Sequence, residues 1–68
     1  MVIELTWSYA RDAVIISIAS GNSHAREQYL RAFGRDIKCK KSELFDVMNK
    51  IADFVENELG EECLFEVD

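Results

Sequence analysis

At 68 residues, with 49% apolar and 31% charged side chains, the chain makes one domain whose core is barely adequate, so nearly every large apolar residue must be used. That make-up excludes a disordered tail, and the longest apolar run, Ala13 to Ile16 with Ile18 beyond it, is far too short to span a bilayer. The net charge of −5 argues against a general nucleic-acid binder.

In chain order, Val2 to Tyr9 alternates, with Ile3, Leu5, Trp7 and Tyr9 on one side, the period-2 signature of a half-buried strand. Ala13 to Ala19 is its natural partner. A two-residue turn at Arg11-Asp12 sets Tyr9 opposite Val14, Trp7 opposite Ile16 and Leu5 opposite Ile18, so all the large apolar residues share a face. The turn chemistry is the weak point, because neither residue takes φ > 0 cheaply, and a helix over residues 10–19 is the competing reading. Gly21-Asn22-Ser23 then reads as a loop ending in an N-cap at Ser23, followed by a helix from His24 to Phe33 stopped by Gly34. Its inner face is Ala25, Tyr29, Ala32 and Phe33, with Leu30 and Arg26 at the margin. Asp36 to Lys40 fits a short edge strand with Ile37 and Cys39 inward.

Ser42 to Leu59 has the periodicity of a long helix of ~26 Å, capped by Ser42 and stopped by Gly60. Leu44, Met48, Ile51, Ala52, Val55 and Leu59 share one arc, with Phe45 at one edge and Val47 and Phe54 at the other. Cys63 to Val67 alternates again. The order β-β-α-(β)-α-β implies a small α+β domain, residues 1–68, with the hairpin and the C-terminal strand in one sheet and two antiparallel helices on one face. The other face, carrying Val2, Thr6, Ala13, Ile15, Ser17, Ala19 and Leu64 beside Glu4 and Glu66, is left open, either solvated or as a homodimer interface.

No metal or cofactor is expected. Cys39 and Cys63 form no CxxC pair, His24 is the only histidine, and a structural zinc site wants four ligands, so both read as buried or half-buried thiols. The opening Met1-Val2-Ile3-Glu4 has no basic segment or cleavage-site pattern, which with only two cysteines favours a reducing cytoplasm. Catalysis is not expected either. Ser23 and His24 are sequence neighbours without a third group to orient them, and so small a domain has little room for a pocket.

The informative feature is a charge split. Residues 24–41 set six Lys/Arg against Glu27 and Asp36, whereas residues 42–68 set Lys50 against nine carboxylates. Lys40 and Lys41 sit at the positive end of the long helix and Glu56, Glu58, Glu61 and Glu62 crowd its negative end, both against the dipole. Ion pairing between Arg26 and the acidic end would make the split architectural. Otherwise, an acidic surface of Asp46, Asp53, Glu56, Glu61 and Glu62 docks on a basic protein surface of the kind that grips nucleic acid. Phe54 serves either as its apolar anchor or in packing against Tyr29 or Phe33. The alternative is phosphate or nucleic-acid binding by the basic segment Arg31 to Lys41, with Arg35, Lys38, Lys40 and Lys41 leading to the helix N-terminus, without a glycine-rich cradle. By size and charge alone, the chain is of the kind found among small inhibitors and adaptors, phage proteins among them.

Overall fold

Alternating apolar residues at the start of the chain form the hairpin. In the computed structural model, which describes residues 2–68, β1 (Val2–Ala10) pairs antiparallel with β2 (Ala13–Ser20). Tyr9 lies opposite Val14, Trp7 opposite Ile16 and Leu5 opposite Ile18, the register that a two-residue turn dictates, and residues 10–19 form no helix. The turn is bought with strain: Arg11 adopts a φ of 57°. A positive φ at the first but not the second central residue is the pattern of a type II′ turn, whose first position favours glycine. Farther along, Glu4 faces Ser20 while Leu5 faces Ile18, so Ala19 is the extra residue of a β-bulge.

Helix α1 (Ser23–Phe33) starts one residue earlier than its sequence suggests, because Asn22 rather than Ser23 is the cap. The Asn22 side-chain oxygen accepts from the Ala25 N–H at 2.9 Å. Gly34, at φ 81°, stops the helix by donating its N–H to the Leu30 carbonyl at 2.8 Å. Ala25 and Tyr29 are buried as expected, but Ala32 is exposed and Leu30 takes its place against the core. Strand β3 (Asp36–Lys40) follows and pairs antiparallel with β2.

The long helix expected over residues 42–59 is three pieces. A 3-10 turn (Lys41–Glu43) leads into α2 (Leu44–Asp53), which widens into a π turn (Phe54–Glu58). Ser42 lies inside the first turn and is not the cap; instead the Glu43 carboxylate accepts the Lys40 N–H at 3.0 Å. In the π turn the Leu59 N–H reaches back to the Phe54 carbonyl at 3.2 Å, where the Phe54 ring meets Phe33 edge-on at 5.2 Å. Gly60, at φ 67°, then turns the chain into β4 (Glu62–Val67).

Strand β4 joins β1 in parallel, giving a mixed four-stranded sheet in the order β3-β2-β1-β4. Both helices pack on one face, where Ile3, Leu5, Val14 and Ile16 meet Ala25, Tyr29, Ile51 and Val55 in a single cluster. The Asn22 amide donates to Glu61 at 2.5 Å, which fastens the start of α1 to the chain leaving α2 and agrees with antiparallel helices. Among the described residues, no helix is long and apolar enough to cross a membrane.

Two changes probe this core. Replacing Arg11 by Gly relieves about 1–2 kcal/mol of left-handed strain against about 0.5–1 kcal/mol of added chain entropy. Arg11→Gly should therefore gain roughly 0.5–1 kcal/mol and raise Tm by about 2–8 °C in a circular-dichroism melt. The Tyr29 hydroxyl is fully buried with no hydrogen-bond partner. Tyr29→Phe should therefore increase the urea midpoint, by about 1 kcal/mol of stability, whereas a loss would mean that the hydroxyl is bonded in solution.

Candidate functional site

The acidic residues lie where α2 and the sheet edge face solvent. Asp46 and Asp53 on α2, Glu56 in the π turn and Glu62 at the head of β4 are all exposed, and the π turn packs against β4. Helix and strand thus bring Glu56 and Glu62 to one edge, with Glu66 and Asp68 farther along it. Glu61 differs. It is half-buried and holds the Asn22 amide, so its role is to tie the helices together.

Phe54 is half-buried, and its ring closes the stack Tyr29–Phe33–Phe54 at centroid spacings of 5.1 and 5.2 Å. The packing role therefore describes it better than the anchor role. The exposed aromatic of α2 is Phe45, 79% accessible and next to Asp46. Its position at the edge of the apolar arc is the sequence signal for it, since an edge residue is buried only if a neighbour extends over it.

The basic residues, by contrast, diverge. From Arg35 to Lys41 the chain runs along β3, about 20 Å at strand rise, so the two ends cannot meet one phosphate at the start of α2. Lys38 and Lys40 point to the open face of the sheet, alternating with inward Ile37 and Cys39. The Lys41 ammonium lies 4.9 Å from the centre of the Tyr9 ring, a cation–π contact that engages the charge standing at the positive end of the helix. Arg35 instead lines a hollow of about 260 Å³ with Arg26, Leu30 and Asp36, and Asp36 accepts a 2.6 Å bond from the Ser17 hydroxyl. A wider groove of about 550 Å³, shared through Arg26 and Leu30, opens toward Gly21 and Ser23.

The single ion pair among the described residues, Arg31 to Glu27 at 2.8 Å, joins neighbours one turn apart on α1. Pairing of Arg26 with the acidic end, which would have made the charge split architectural, is not among them.

Cys39 and Cys63 lie on β3 and β4, the two outer strands, three strand spacings or about 14 Å apart across the sheet and six residues or about 20 Å apart along it, beyond the reach of one disulfide. Burial, and then the Glu56 carboxylate, pushes the Cys63 thiol from 9.0 up to about 11. Burial, with Glu43 adding to it, also raises Cys39. A nucleophilic cysteine needs the opposite shift. Tyr29 is likewise pushed up to about 12, by burial first and then by Cys63 and Asp36. Among the described residues, no three His, Cys, Asp or Glu side chains come together to hold a metal.

Comparison of the chain with protein-family models, with curated proteins and with solved structures gives no match in any of the three. Function must be argued from the site alone.

The raised thiol and phenol fix the alkaline behaviour. Each is held neutral in the fold, so its contribution is complete below the ordinary value and is lost as the pH climbs through the raised one. The urea midpoint should hold to pH 9.0, then decline through about 11 as Cys63 ionises and on toward about 12 with Tyr29. Cys63→Ala should flatten the first part of that decline and Tyr29→Phe the second.

Proposed function

We propose that the protein is a non-catalytic interaction module of the inhibitor or adaptor kind, whose acidic surface docks on a basic surface of a protein partner. The observation that carries this reading is that the acidic third keeps its charge: the one ion pair among the described residues lies wholly on α1 and uses none of the carboxylates after residue 42. Crowding like charges on a small domain costs stability through self-repulsion. A local rule broken without internal compensation marks a functional surface. Exposed carboxylates at this density create a field that speeds encounter with a basic partner and weakens with salt. Phe45 supplies what charge lacks, an apolar side chain beside Asp46 that a partner pocket can desolvate.

The test is capture from native cell lysate by wild type and by a variant carrying Asp46→Asn, Asp53→Asn, Glu56→Gln and Glu62→Gln. Glu61 is kept, because it holds Asn22. Wild type should retain a partner that weakens with salt, with affinity reduced about tenfold or more by neutralisation and again by Phe45→Ala. Capture that survives the four neutralisations would overturn the reading.

A further inference from the structure

The two outer strands of the sheet carry opposite charge. On β3 the open-face residues are Asp36, Lys38 and Lys40, with Arg35 and Lys41 at its ends. On β4 they are Glu62, Leu64 and Glu66, with Asp68 beyond. Each strand has one paired side and one free side, the second presenting a row of backbone N–H and C=O groups. Lengths are nearly matched, at five and six residues. Directions match too: β3 is antiparallel to β2, β2 to β1, and β1 is parallel to β4, so β3 and β4 run the same way.

We propose that the protein associates with a second copy of itself head to tail, the β4 edge of one copy pairing in parallel with the β3 edge of the next. Charged edge strands ordinarily prevent such pairing. Here they prevent it only between like edges. A β4–β4 contact would oppose only carboxylates, and a β3–β3 contact would set a net positive edge, with Asp36 its one acid, against itself, while the unlike contact brings Lys38 and Lys40 to Glu66 and Asp68.

Charge also selects the register. Within the sheet, Ile37, Ile16, Trp7 and Val67 form one row and Asp36, Ser17, Thr6 and Glu66 the next. Continuing those rows unshifted would set Glu66 beside Asp36. A two-residue stagger keeps every side chain on its own face, sets Glu66 beside Lys38 and Asp68 beside Lys40, and lays Cys39 against Val67, which is 69% exposed in the single chain. Because the two surfaces differ, the contact does not stop at a dimer; copies add in series or close a ring. This pairing runs through Glu66 and Asp68, which the four neutralisations of the docking test leave in place, so the two readings can fail separately.

Sedimentation velocity on the full chain decides it. In about 50 mM salt the weight-average mass should rise with concentration past that of a dimer, and in about 500 mM salt the association should weaken roughly tenfold. Lys38→Glu with Lys40→Glu makes both edges acidic, and Glu66→Lys with Asp68→Lys makes both basic, so each variant alone should be monomeric and their equimolar mixture should associate again. If a double variant fails to fold by circular dichroism, Lys38→Glu and Glu66→Lys serve for the same exchange. A wild type that stays monomeric at low salt, variants that still dimerise alone, or a mixture that does not associate would each overturn the proposal.

Discussion

Everything in this fold leans on the inner face of the hairpin. Ile3, Leu5, Val14 and Ile16 are fully excluded from water, and each contributes about 1.5–3 kcal/mol relative to exposure. In a chain of 68 residues, four such side chains form half of the fully buried cluster, and both helices exist to cover them. That explains why a strained turn is tolerated. A one-residue slip would carry one strand's pair, Ile3 with Leu5 or Val14 with Ile16, to the wrong face, a loss of about 3–6 kcal/mol that exceeds the about 1–2 kcal/mol stored at Arg11.

Charge is arranged around this core with local corrections but no global one. At the start of α2, Lys41 leans over Tyr9 and the Glu43 carboxylate takes the Lys40 N–H, so the helix dipole meets a carboxylate where it wants one. At the far end, the Asn22 amide donates to Glu61, while Glu56 and Glu62 stay in solvent. What remains is a molecule with a basic edge strand and an acidic one, separated by the width of the sheet.

Much of the fold was legible because it follows from periodicity. The hairpin register, the inward residues of β3 and β4 and the buried arc of α2 are fixed by where the apolar side chains fall. The side of the hairpin on which β4 docks was not legible, since alternation marks a strand's faces and says nothing of its neighbours. Nor was the break of the long helix into three turns, which depends on how the Phe54 ring meets Phe33. The same limit applied to the candidate site. Sequence identifies which residues are charged, but whether Glu61 is spoken for, or whether Phe45 rather than Phe54 stands in solvent, depends on what happens to lie opposite.

The parallel pairing of β1 with β4 has a consequence for synthesis. Strand β1 leaves the ribosome before β4, so the ladder on its second side waits for residues 62–67. At about 5–20 residues per second the nascent hairpin therefore spends several seconds with that flank unpaired and its apolar face only partly covered. Closing the sheet is the most non-local event in the chain, and non-local pairing is the slow part of folding. That interval, rather than the finished fold, is when its apolar face and open strand edge are most prone to aggregation.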